Sequence, residues 1–245
     1  MNVLFNRKTS MHMKKDKDLT TLSSRKELDE FIQLANELAP ANANAQGRIL
    51  FALDATASRQ ATWDHACHLQ NQMFSATSEV GNLAVMLCYF RGYQEFQHSK
   101  WLNQPVQLRQ IMEKVSCAAG HTQIQKVLQL GINETRKQEV KAIIFIGDSQ
   151  EESTDKLTSL AGQLGLLKTP VFIFQEGADC RARQAFTAIA HLSGGAYHHF
   201  DHHSSELLKQ LLIAVAIYAS QGKPAFQRYI ENKGHAAKHL LEQLR

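Results

Sequence analysis

The chain lacks any apolar run long enough to cross a bilayer: the longest, Leu211 to Ala219, falls well short of a membrane span. Met1 to Asp18 carries Arg7, Lys8, Lys14, Lys15 and Lys17 but no apolar segment, so it does not read as a secretory signal. Residues 1–23 are expected to be a basic, disordered tail, with Met11 or Met13 as alternative starts. Cysteine is scarce too. Cys67, Cys88, Cys117 and Cys180 form no close pair, and three of the four fall in apolar or helical patterns that read as buried positions. They are expected to be free thiols in a reducing, cytoplasmic setting. A formal net charge of +4 is mild, and no aromatic platform is interleaved with the basic residues, which argues against nucleic-acid binding.

What is present is a chain of 245 residues, 44% hydrophobic and 20% charged, enough for one domain with extensions. Ser24 and Glu27 form a capping box ahead of Leu28, Phe31, Ile32, Ala35 and Leu38, so an amphipathic helix is predicted over 24–38, stopped by Pro40. Beyond it, strand-like and helical patterns alternate. Strands are expected at Arg48–Asp54, Leu83–Phe90, Val140–Asp148, Thr169–Gln175 and Gly195–Phe200, with a weaker edge strand in Tyr93–Trp101 after a tight Arg91-Gly92 turn. Helices are expected at Trp63–Ala76, from Pro105, from His121, and over Thr154–Leu164, Arg181–Leu192 and Ser205–Ser220. This alternation predicts an α/β fold: a Rossmann-like, doubly wound, mainly parallel sheet with one antiparallel edge strand and helices on both faces. The domain is expected to span 48–222, preceded by a helix and linker (24–47) and followed by a basic amphipathic helix over 223–245. The narrow apolar stripe of that last helix, Phe226, Ile230, Ala237, Leu241 and Leu244, suggests a partner contact or a loosely docked lid.

Oxygen donors gather where these strands end. Asp54, Thr56 and Ser58 stand two residues apart at the end of the first strand, Thr122 precedes a helix, and Asp148 closes another strand. Ligands of open α/β sheets sit beyond the carboxyl ends of the strands, and hard oxygen donors suit Mg²⁺. A second reading is open for each: Asp54, Thr56 and Ser58 as turn formers and caps, Thr122 as an N-cap with Gln125 completing a capping box, and Asp148 as a β→α turn residue.

In order and spacing, Asp54-Ala-Thr-Ala-Ser58, Gly120-His-Thr122 and Ile146-Gly-Asp-Ser149 resemble the metal-ion-dependent adhesion site of von Willebrand factor A domains. That motif is Asp-x-Ser-x-Ser, then a distant Thr, then a distant Asp. The resemblance runs from about Arg48 to Ser220. More narrowly, Phe51 to Gln60, Tyr89-Phe-Arg-Gly92 and Phe174-Gln-Glu-Gly177 look like a bacterial group of such domains. Two positions depart from the usual pattern. Thr56 replaces a serine and keeps its hydroxyl, while Gly147-Asp-Ser149 stands where Thr-Asp-Gly is common.

The resemblance implies a site for Mg²⁺, or for Mn²⁺ or Ca²⁺. Thr56, Ser58 and Thr122 would contact the ion directly or nearly so, and Asp54 and Asp148 partly through water. One open coordination position would capture an acidic residue of a partner protein. No catalytic residue, nucleic acid or membrane is implied.

The alternative is a Mg²⁺-dependent phosphohydrolase of haloacid dehalogenase type, with Asp54 as nucleophile. It would need a phosphate-neutralising lysine, and it usually has a second acid where Thr56 stands; Lys141 lies at the wrong end of its strand. Glu151 and Glu152 could add carboxylates near the ion, although acidic loop residues are usually solvated. The run Tyr197-His-His-Phe-Asp-His-His203 could hold a transition metal, but strand alternation sends His198 and His199 to opposite faces.

Overall fold

In the computed structural model, which describes residues 47–63, 83–200 and 205–233, the strand β1 (Gly47–Asp54) is buried along its whole length. The expected tail, the helix over 24–38, almost all of the helix over 63–76, His202, His203 and the chain after 233 lie outside the described residues. β2 (Leu83–Arg91) is likewise buried throughout. Such unbroken apolar runs belong to strands covered on both faces. β3 (Glu95–His98), β4 (Ala142–Gly147), β5 (Val171–Glu176) and β6 (Tyr197–Phe200) complete a six-stranded sheet in the order β3-β2-β1-β4-β5-β6. All neighbours pair in parallel except β2 and β3, whose hairpin makes the antiparallel edge.

Alternate residues of β1 feed two cores. Ile49, Phe51 and Leu53 pack with α1 (Pro105–Met112), α5 (Ser205–Gln221) and the start of α6 (Lys223–Lys233). Leu50 and Ala52 face α2 (Ile124–Lys137), α3 (Thr154–Leu166) and α4 (Cys180–Ser193). This is the doubly wound α/β arrangement read from the sequence. No helix among the described residues is long and apolar enough to cross a membrane.

Two expectations change. Phe226 is fully buried in the first core, with its ring 6.0 Å from that of Tyr218, so the opening turns of α6 are docked rather than loosely applied. Of the described cysteines only Cys88 is buried, fewer than expected: Cys117 is half-buried, and Cys180 is exposed at the first residue of α4, one residue ahead of the helix start expected at Arg181.

β1 is the strand at which the winding reverses. The chain leaves it toward β2 and β3, then returns to its other side as β4. The crevice of the sheet therefore opens at the carboxyl ends of β1 and β4. Asp54 ends the first, and Asp148 follows the second.

Candidate metal centre

Asp54 is completely buried, and its Oδ1 accepts the backbone N–H of Thr56 at 2.8 Å. That bond curls the chain into a single 3-10 turn, Ala57–Arg59, and brings the Thr56 hydroxyl to 3.1 Å from that of Ser58. Thr56 is buried and Ser58 exposed, so the three oxygen-bearing side chains climb from the sheet edge toward solvent.

Thr122 is carried to the same rim by backbone stitching. Ala55 donates to the Phe90 carbonyl and Ala118 to the Ala55 carbonyl, both at 3.0 Å, while Gly92 donates to the Ala118 carbonyl at 3.4 Å. Arg91 Nη1 donates to the Ser116 carbonyl and, at 2.8 Å, to its hydroxyl. Gly120 passes so near Gly92 that a Cβ there would stand 1.9 Å from the Gly92 carbonyl oxygen, an approach open only to glycine.

The loop after β4 closes the rim. Glu151 N–H donates to Thr122 Oγ1 at 3.1 Å, and the Glu151 carboxylate accepts from Thr122 N–H at 3.3 Å and lies 2.8 Å from His121 Nδ1. The two carboxylates expected to be solvated or near an ion are thus engaged: Glu152 caps α2 by accepting from Ile124 N–H and, at 3.0 Å, from Gln125 N–H. This corrects the capping reading of Thr122, because the N-cap residue is Gln123, without a side-chain cap bond, and Glu152 supplies the cap. Burial pushes the Glu152 carboxyl up, against the hydrogen bonds it accepts from Gln125, Ile124 and Thr122.

Two oxygens remain unsatisfied. Asp54 Oδ2 and Asp148 Oδ1 are both buried and without a hydrogen-bond partner. A buried carboxylate oxygen left this way is costly. Burial pushes the Asp54 carboxyl up to about 7; the bonds from Thr56 oppose the rise, the neighbouring Asp148 adds to it, and the Arg59 charge opposes it. A divalent cation between the two carboxylates would satisfy both orphaned oxygens and hold Asp54 ionised, so this donor set fits a hard ion. Among the described residues no three His, Cys, Asp or Glu side chains gather to hold a metal, so any centre here draws on hydroxyls as well as carboxylates.

One residue of the site escaped the sequence reading. Arg59 is fully buried beneath the rim, ion-paired to Glu176 at 2.9 Å and bonded to the carbonyls of Asp54 and Ile146. The available signal was Glu176, an acid ending an apolar strand. Elsewhere, Lys141 precedes β4, at the end of that strand opposite Asp148, and pairs with Glu139 at 2.6 Å, so it supplies no charge to Asp54. His198 and His199 are half-buried on the edge strand β6, where His199 Nε2 lies 2.7 Å from the Gly177 carbonyl.

No family model matches the chain, and no curated protein matches it either. Solved structures do. An aerotolerance-related membrane protein from Bacteroides fragilis superposes with a TM-score of 0.54 at 18% identity, over 70% of this chain and 98% of that one. A von Willebrand factor type A protein from Catenulispora acidiphila gives a TM-score of 0.56 at 11% identity, over 74% of this chain and 43% of that one. The SpRpn10 VWA domain gives 0.53 at 11% identity, over 63% and 87%. At these identities the likeness is one of fold.

Proposed function

We propose that this chain, whose fold is that of a von Willebrand factor A domain, is a protein-binding module that works through a divalent cation. Asp54, Thr56, Ser58, Thr122 and Asp148 hold Mg²⁺, or Mn²⁺ or Ca²⁺, at the crevice between β1 and β4. The ion supplies an electrophilic position for an acidic residue of a partner protein. The chain's own residues fix the donors: the Asp54–Thr56 bond shapes the first loop, and Glu151 N–H holds the Thr122 hydroxyl against the loop of Asp148.

The observation that carries this reading is the pair of buried, unpartnered carboxylate oxygens on Asp54 and Asp148, placed beside hydroxyls at the switch point of the sheet. Two carboxylates match the ion's charge, which leaves it attractive to one further carboxylate from outside. No catalytic role is assigned, since no group in the set is placed to activate water against a phosphoester. The phosphohydrolase alternative gains no support from the surroundings of Asp54.

Titration calorimetry with Mg²⁺, Mn²⁺ and Ca²⁺ tests the proposal. Wild type should bind one ion, Thr56→Ser should bind it nearly unchanged, and Thr56→Val and Asp54→Ala should lose it while staying folded. A wild type that binds none of the three ions defeats the reading. Turnover of an aryl phosphate that disappears in Asp54→Asn would transfer the site to the phosphohydrolases.

A further inference from the structure

The ladder between β1 and β4 ends at the pair Leu53↔Ile146. Asp54 and Asp148 lie beyond that rung, so backbone pairing between the two strands does not set the separation of their carboxylates. Arg59 lies across this gap. Its Nη1 donates to the Asp54 carbonyl at 3.2 Å and to the Ile146 carbonyl at 3.3 Å, while Nε and Nη2 both reach Glu176 Oε2, at 3.1 and 2.9 Å. One planar guanidinium therefore joins β1, β4 and the last residue of β5. The Thr62 hydroxyl donates to the same Glu176 oxygen at 2.9 Å, tying the far end of the 54–62 loop to the clasp.

We infer that Arg59 is a positioning residue of the ion site: it replaces the missing rung between β1 and β4 and so fixes the spacing of the Asp54 and Asp148 carboxylates, with Glu176 as its anchor. The inference rests on the metal reading proposed above. Arginine suits the task because its rigid fork offers donors in several fixed directions at once. A lysine brings the same charge to a single point and cannot span two carbonyls and a carboxylate with the same geometry. Glu176 pairs with the guanidinium, which bonds the Asp54 carbonyl and leaves Asp54 Oδ2 and Asp148 Oδ1 open to the ion. Both partners of the clasp are buried, the side chains of Arg59 and Glu176 being 0% and 10% exposed, so water offers little substitute for either.

The test is Mg²⁺ and Mn²⁺ calorimetry on the full chain, well below its melting temperature, with the fold of each variant checked by circular dichroism. Arg59→Lys should weaken ion binding on the order of tenfold or more, the range found when groups that orient metal ligands are removed. Glu176→Gln keeps the carbonyl bonds available but loosens their anchor, and should weaken binding to a smaller extent. Leu164→Ala, a fully buried residue of the opposite core, is the control for stability: it should lower the melting temperature and leave ion affinity unchanged. Arg59→Lys and Glu176→Gln that melt earlier yet bind the ion like wild type would make the clasp a structural staple and overturn the inference, with the metal reading intact. Should Arg59→Lys not fold, unchanged affinity in Glu176→Gln overturns it alone. Wild type that binds no ion, like Asp54→Ala, removes the metal reading and this inference together.

Discussion

Gly147 backs directly onto Asp54: a Cβ added to the glycine would stand 3.2 Å from the Asp54 Cβ and 2.7 Å from Cζ of Phe145. The phenyl ring has little room to yield, since it lies 6.1 Å from the ring of Phe90 and 5.5 Å from that of Phe186. This explains why glycine occupies a position where the adhesion-type motif often has threonine. Gly147→Ala should cost about 1–3 kcal/mol through overpacking, measured by urea unfolding. Gly147→Thr should cost more, and both should weaken Mg²⁺ binding by displacing Asp54. An alanine variant as stable as wild type would contradict the close fit.

Asp54 makes the metal-free protein sensitive to alkali. Its carboxyl is raised from an ordinary value of 3.8 to about 7. A group raised in the folded state favours folding fully below its unfolded value and gives up that contribution as pH climbs through the folded one. With chelator present, stability should therefore fall by a few kcal/mol between about pH 4 and pH 7, at about 1.4 kcal/mol per pH unit in the middle of that range, and level off above it. Asp54→Asn should flatten the fall, and Mg²⁺ should reverse it in wild type. Thermal unfolding across that range, with and without the ion, reads all three.

At the other end of β1 the sign is opposite. Glu134 accepts from Arg48 Nη2 at 3.3 Å, Trp101 Nε1 at 2.8 Å and Lys137 Nζ at 2.6 Å, while the Arg48 guanidinium lies 3.8 Å from the centre of the Trp101 ring. Burial alone would raise the Glu134 carboxyl; the bonds from Lys137 and Trp101 and the charges of Lys137 and Arg48 outweigh it and hold it below its ordinary 4.5. This contribution is present above that ordinary value and lost as pH falls through the lowered one. Glu134→Gln should cost about 1–3 kcal/mol at neutral pH, and the difference from wild type should shrink in acid. A constant difference down to about pH 3 would show that the charge is not what matters.

Phe226 ties α6 to the domain. Because it is fully buried against Tyr218 and the β1 face of the sheet, Phe226→Ala should destabilise by about 3–5 kcal/mol. Removing residues 224–245 should lower the melting temperature by many degrees. A truncated chain that melts like the full one would return the segment to the role of a loose lid.

Much of this was legible without coordinates, for identifiable reasons. Fully apolar strands such as the run Ile49-Leu-Phe-Ala-Leu53, alternating with helical patterns, leave few ways to bury both, and a doubly wound parallel sheet is the one found. Asp54, Thr56 and Ser58 were visible because their spacing is local, and one hydrogen bond from Thr56 N–H to Asp54 sets their mutual arrangement.

Other features depended on residues far apart in the chain. Thr122 has the sequence context of an N-cap, yet its hydroxyl takes an N–H from Glu151 in the loop after β4, and the cap passes to Glu152. Such an exchange depends on which loops meet, and strand order decides that. Phe226 lies on a narrow stripe that reads as a loose docking face, yet it is locked into the core against Tyr218.

The sequence by itself determined the strands and helices of the described residues and the short run of oxygen donors, because each is written in neighbouring residues through periodicity and spacing. Only the tertiary structure decided that Arg59 turns inward rather than to solvent. Its burial needs the Glu176 carboxylate and the Asp54 and Ile146 carbonyls, which come from three different strands and meet once the sheet has formed.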